Sequence, residues 1–170
     1  MVGNGCAWVH TVYTFDRERW DMGPVMPAFE VLGRRCFDPR TGALTPGATS
    51  NPALVMLDFI RSEFGYAAPD AWIDFDSFAA AAMICDELVV STDIANEVNG
   101  SPWRVRRYSL NAVFEVDASP AATVQAIEDT CAGRLIFCGG KYKLFAGAYR
   151  PASGPALTEQ YLRDSPAFRA

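Results

Sequence analysis

The stretch that decides the fold runs from Val105 to Tyr149: VRRYSLNAVFEVDASPAATVQAIEDTCAGRLIFCGGKYKLFAGAY. Val105 to Val116 alternates, with Tyr108, Leu110, Ala112, Phe114 and Val116 on one side, as a half-buried strand does. Asp117-Ala118-Ser119-Pro120 marks a helix start, with Ser119 as cap and Pro120 at the first helical position, where its missing donor costs nothing. Val124, Ile127 and Cys131 then fall on one helical stripe, and Gly133 ends the helix. Arg134 to Cys138 reads as a short strand. Gly139-Gly140 supplies two residues able to take positive φ, which a tight hairpin needs. Lys141 to Tyr149 returns, with Tyr142, Leu144 and Ala146 alternating against Lys141, Lys143 and Phe145. The order is β-α-β-β, with the helix across one sheet face.

Upstream lie two helices. Asn51-Pro52 opens the first: Asn51 can cap free N–H groups and Pro52 sits at the first helical position. Leu54, Leu57, Phe59 and Ile60 are helically spaced, and Gly65 stops the run. The second spans about Asp76 to Leu88, capped by Asp76 or Ser77. Its alanine-rich run from Phe78 to Met83 favours helix and permits close packing. An exposed tip follows, from about Ser91 to Pro102. Further upstream, Cys6 to Phe15 is rich in β-branched and aromatic residues and reads as a strand. A second strand runs from about Ala28 to Phe37 and ends in the turn Asp38-Pro39-Arg40-Thr41-Gly42. These two strands are expected to pair antiparallel.

The fold class is therefore α+β: antiparallel strands with two inserted helices, followed by a β-α-β-β unit. Residues 1–50 hold the strand pair, 51–103 the helical insertion and 104–150 the β-α-β-β unit. Residues 151–170 hold a Pro-rich linker and the start of a next element, so the chain reads as a piece of something longer.

Composition narrows the function classes. A chain of 170 residues with 50% hydrophobic and 21% charged residues can bury a core. A net charge of −5 argues against a nucleic-acid backbone as partner. The basic cluster Arg104, Arg106 and Arg107 reads as a solvated strand face. No apolar run is long enough to span a bilayer, and Met1 to Gly5 lacks the features of a signal peptide. The five cysteines are Cys6, Cys36, Cys85, Cys131 and Cys138. An odd number without a CxxC pair reads as reduced, mostly buried thiols, with no disulfide and no metal.

Candidate chemistry is sparse. A thiol nucleophile needs a base, and the one histidine is His10. On an extended strand Cys6 and His10 share a face but lie about 13 Å apart, at about 3.3 Å per residue. Asp70, Asp74, Asp76, Asp86 and Glu87 crowd one region, yet 70–76 lacks the glycine and terminal glutamate of a calcium loop. Capping and solvation explain these acids. Neither Gly3-Asn4-Gly5 nor Gly139-Gly140 is a phosphate loop. No catalytic, metal-binding or cofactor-binding residues are assigned, and no cofactor is expected. Loop residues Trp20, Met22, Val25 and Met26, with Trp103 beside another loop, form a possible interaction surface, since Trp and Met are enriched in protein interfaces.

Six stretches taken in order resemble the central tail hub, or tip attachment protein, of long-tailed phages, prophages and gene transfer agents. They are Ala7-Trp8-Val9 with Tyr13 to Arg17; Val31 to Gly42; Asn51-Pro52-Ala53 with a helix ending at Phe64-Gly65-Tyr66; Ala79 to Leu88; Tyr108 to Ala112; and Ala132 to Leu135 running to Tyr149-Arg150. No single motif is specific; the series, from about Gly5 to Leu162, carries the likeness. It implies a β-rich hub with helical insertions and no catalytic residues. It further implies a virion structural protein at the tail tip, assembled in the bacterial cytoplasm. The expected partners are other tail-tip and hub proteins and copies of itself, as a trimer in the full-length assembly. No small-molecule substrate, membrane or nucleic acid is expected. Set against that family, the chain is expected to be a piece without the hub's preceding domain and its later fibre-like parts. The alternatives are a small cytosolic thiol-dependent enzyme using His10 and a cysteine, or a free-standing α+β domain that binds a ligand or peptide.

Overall fold

The computed structural model describes residues 9–14, 27–90, 103–115 and 117–148. The chain divides into two units, Met1–Leu32 and Gly33–Ala170.

In the first unit, the described residues 9–14 and 27–32 form neither helix nor strand. Val9, Val12, Phe29, Val31 and Leu32 are exposed. The expected pairing of Cys6–Phe15 with Ala28–Phe37 is therefore corrected over the described residues. Two β-prone segments without a further strand or helix among the described residues of their own unit are marginal in water, whatever their propensity.

The second unit is α+β, as its sequence implies. Among the described residues it holds β1 (Phe37–Asp38), β2 (Ala43–Leu44), α1 (Pro52–Arg61), a 3-10 turn (Asp70–Trp72), α2 (Phe75–Asp86), β3 (Leu88–Val90), β4 (Arg104–Arg106), α3 (Pro120–Thr130), β5 (Arg134–Cys138) and β6 (Lys141–Phe145). The strands form three separate antiparallel ribbons, β1–β2, β3–β4 and β5–β6.

The helix starts follow from their caps. The Asn51 side chain accepts from the N–H groups of Ala53 and Leu54, and Pro52 follows it. Asp74, rather than Asp76 or Ser77, caps α2, accepting from the Ser77 N–H. Ser119 precedes Pro120 at the start of α3 but makes no side-chain capping bond. The Gly139-Gly140 turn forms as expected, with φ of 63° and 77°.

The helix ends differ from expectation. After α1 the left-handed residue is Ala67, and after α3 it is Ala132, both at φ 46°. Gly65 and Gly133 act by close approach instead. A Cβ on Gly133 would lie 2.7 Å from the Phe145 carbonyl oxygen and 2.8 Å from the Cys131 sulfur.

One core holds the unit together. Leu54, Met56, Leu57 and Ile60 of α1 meet Phe78, Ala81, Ala82 and Cys85 of α2, Ile127 of α3 and Leu144 of β6. The buried alanines leave room for the larger α1 side chains beside them. Tyr108, Leu110 and Phe114 pack on this core as their alternation implies, although Ala112 is exposed. The expected strand from Val105 to Val116 shrinks to Arg104–Arg106. Beyond it the backbone finds scattered partners: Tyr108 donates to the Cys85 carbonyl and Leu110 to that of Ser50. Without a continuous neighbour an extended segment builds no ladder.

Candidate interaction surfaces

The sequence-selected surface is only partly visible. Trp20, Met22, Val25 and Met26 lie outside the described residues. Trp103 is described and is 50% exposed, immediately before β4. It extends a ribbon whose apolar side chains Leu88, Val90 and Val105 are also exposed. The register pairs Leu88 with Arg106, Val89 with Val105 and Val90 with Arg104.

A second surface escaped the sequence. Tyr66 stacks on Tyr142 at 5.9 Å and an interplanar angle of 11°. Tyr142 meets Phe137 at 4.8 Å, and Phe137 meets Trp72 edge-on at 6.4 Å. These four rings form one continuous row. Phe137 is 57% exposed and Trp72 52%, so the row is largely open to solvent. Its members lie 76 positions apart at the extremes in four separate segments, so no local pattern marks it. The backbone assembles it: Ile73 bridges Tyr142, and the Asp74 N–H donates to the Tyr142 carbonyl at 3.0 Å.

The charged residues near these surfaces are mostly consumed by structure. The Arg40 guanidinium binds both carboxylate oxygens of Asp38 and reaches Asp86 at 2.8 Å. Arg106 approaches Asp86 from the other side at 3.5 Å. A carboxylate at the last residue of a helix opposes the macrodipole, and these two cations offset that cost. Arg107 pairs with Glu87 at 2.9 Å and Arg61 with Asp70 at 2.8 Å. The basic cluster is thus ion-paired at Arg106 and Arg107 rather than simply solvated. The hydrogen bonds from Arg40 hold the Asp38 carboxyl below its ordinary range, against the opposing effect of burial. Burial pushes Asp74 up, but the Ser77 N–H and Lys143 outweigh it and hold it low. Glu128 is buried at the end of α3. It accepts from the Leu135 N–H at 2.6 Å and from Arg134 at 3.1 Å, pinning the start of β5.

The thiols are placed for packing. Cys36, Cys85, Cys131 and Cys138 are free; the first three are buried and Cys138 is exposed. Burial pushes Cys36 and Cys85 up to about 11 and also raises Cys131. A thiol that binds its proton so tightly is almost never the thiolate that attacks or ligates. Among the described residues no three His, Cys, Asp or Glu side chains converge as metal ligands would. His10 is exposed in the first unit, and Cys6 lies outside the described residues. An open cleft of about 360 Å³ lies among Arg34, Phe37, Asp58, Arg61 and Asp70. Its cations are neutralised within its own walls, Arg34 by Asp58 at 3.5 Å and Arg61 by Asp70. Among the described residues no helix is long and apolar enough to cross a membrane.

What the geometry offers is contact surface: an exposed apolar ribbon at β3–β4, and an aromatic row that runs from β5–β6 onto Tyr66 and the 3-10 turn. A scan of protein-family models finds no match to this chain, and no curated protein matches it.

Proposed function

We propose that this chain is a structural, non-enzymatic module of a phage-type tail tip, part of the central hub that closes the tail tube and organises host-contact proteins. The ordered series of six sequence stretches carries the reading. Its partners are other tail-tip proteins and copies of itself in the full-length trimer. Its place is the virion tail tip, reached from the bacterial cytoplasm during assembly.

Two physical observations support an assembly role. The β-prone segments 9–14 and 27–32 leave Val9, Val12, Val31 and Leu32 in solvent. Apolar surface of this kind gains about 25 cal/mol per Å2 when another chain covers it. The ribbons β3–β4 and β5–β6 are likewise two-stranded, a form that gains stability from added strands. The three buried thiols weigh against the thiol-enzyme alternative, because desolvation disfavours their reactive form.

Charge substitutions in the full-length protein test the proposal. Trp103→Glu, and separately Trp20→Glu with Met22→Glu, should lower the yield of complete tails seen by electron microscopy. The same changes in the isolated chain should leave its thermal melting near that of the wild type. Normal tails from both variants would remove these surfaces from the interface. Hydrolase turnover that vanishes in His10→Ala would overturn the non-enzymatic reading.

A further inference from the structure

We infer that the outer edge of β5 accepts an extended peptide segment from another protein, apolar at alternate positions and carrying a carboxylate beside the hairpin tip. This inference does not depend on the tail-tip reading.

The hydrogen-bonding register defines the free groups. The two-residue turn at Gly139-Gly140 makes Cys138 and Lys141 a mutually bonded pair. Bonded pairs then recur at Ile136 with Lys143 and at Arg134 with Phe145. The backbone groups of Tyr142 and Leu144 must therefore face away from β5. They do: the Tyr142 carbonyl accepts from Asp74 and the Leu144 N–H donates to the Ser77 hydroxyl. By the same alternation Leu135 and Phe137 face outward from β5. The Leu135 N–H is taken by the Glu128 carboxylate. Among the described residues the Phe137 N–H, the Phe137 carbonyl and the Leu135 carbonyl have no partner. An incoming strand would find one donor and two acceptors at strand spacing.

The side chains fit the same occupant. Edge strands are ordinarily guarded by charges, proline or bulges. Beyond Arg134, which Glu128 ties down at the strand's start, β5 carries none of these, and Ile136, Phe137 and Cys138 are exposed. On one face of the edge Phe137 joins Trp72, so every second residue of an added strand would meet an aromatic platform. Lys141, exposed at the hairpin tip, makes no ion pair among the described residues, whereas Lys143 is held by Asp74 at 3.3 Å. Lys141 acts on Asp74 only at longer range, and a carboxylate at that end of the segment supplies a direct partner. Strand addition of this type draws affinity from the main chain and selectivity from alternate side chains.

The probe is the capped peptide Glu-Val-Thr-Val-Thr-Val-Glu, acidic at both ends so that either strand direction presents a carboxylate to Lys141. Its counterpart carries lysine at both ends. In 15N-resolved NMR of the whole chain, the acidic peptide should shift the Phe137 amide and slow its hydrogen exchange. The lysine-ended peptide should bind about two- to five-fold more weakly, the range set by one exposed ion pair. Phe137→Pro removes the outward donor from an edge position where proline is tolerated, and should abolish binding. Phe137→Ala keeps the donor and should retain weakened binding. The wild-type amide carries the test even if the proline variant fails to fold. An unmoved Phe137 amide, or equal affinity for both peptides, would overturn the inference. So would a Phe137 amide already protected in the free chain, whether by its own residues or by a second copy in sedimentation.

Discussion

The Asn51 side-chain amide donates to the Ala82 carbonyl at 2.9 Å, while its oxygen caps α1 through Ala53 at 3.0 Å and Leu54 at 3.4 Å. Asn51 is fully buried, so one side chain both starts α1 and fastens it to α2. Asn51→Ala should destabilise the unit by about 1–3 kcal/mol, through a lost cap and an unpaired carbonyl. Asn51→Asp keeps the cap acceptor but cannot donate to Ala82. Urea unfolding of both variants checks this: loss in Asn51→Asp isolates the link between helices. A wild-type midpoint in both would remove the role.

Gly65 and Gly42 give opposite reasons for being glycine. A Cβ on Gly65 would overlap the Phe59 carbonyl oxygen and lie 2.9 Å from its carbon, whereas Gly42 has open space around it but a φ of +71°. Gly65→Ala should cost about 1–3 kcal/mol through steric overlap. Gly42→Ala should cost about 1–2 kcal/mol through backbone conformation. Asparagine, which visits the left-handed region, should partly rescue position 42 and leave position 65 as unstable as the alanine variant. Thermal melting of the four variants decides it.

The starts of α1 and α3 and the β5–β6 turn are legible because their chemistry is local, whereas α2 starts at Asp74, ahead of the expected cap. Asn51-Pro52, Ser119-Pro120 and Gly139-Gly140 each act within a few residues of where they stand. The helix ends were misread because alanines occupy the left-handed positions, leaving the nearby glycines to serve packing across α1 and β6. The pairing of Leu88–Val90 with Arg104–Arg106 joins segments on either side of residues 91–102, where the expected tip lies outside the described residues, and sequence gives no register across such a gap. The aromatic row was invisible for the same reason: Tyr66, Trp72, Phe137 and Tyr142 meet only once β6 docks beside the 3-10 turn. The exposure of Trp103, by contrast, follows from its place beside a loop, which is a local signal.

Acid should weaken the second unit through Asp38. Its carboxyl lies below its ordinary 3.8 in the folded chain because Arg40 hydrogen bonds to it. A depressed folded value means the contribution is fully present above the unfolded value and is lost as pH falls through the folded one. Asp38→Asn should therefore be less stable than the wild type at neutral pH. The gap should close as pH falls from neutrality through 3.8 and below it. Urea midpoints measured across that range test the sign, and a gap that widens on acidification would contradict it.

Thiol reactivity should separate by burial. At pH 8 a thiol reagent should modify Cys138 quickly, and Cys138→Ser should remove one fast equivalent. Cys36, Cys85 and Cys131 should react only as the chain opens. In denaturant without reductant all five thiols should titrate, and fewer would reveal a disulfide or a bound metal.

The most direct test of the tail-tip assignment is immunogold electron microscopy. An antibody raised against this chain would be applied to particles purified from the strain that carries its gene. The account predicts gold at the distal end of the tail tube, lost when that gene is deleted and restored with it. Particles that carry no label, with the chain remaining in the soluble cell fraction, would contradict the assignment.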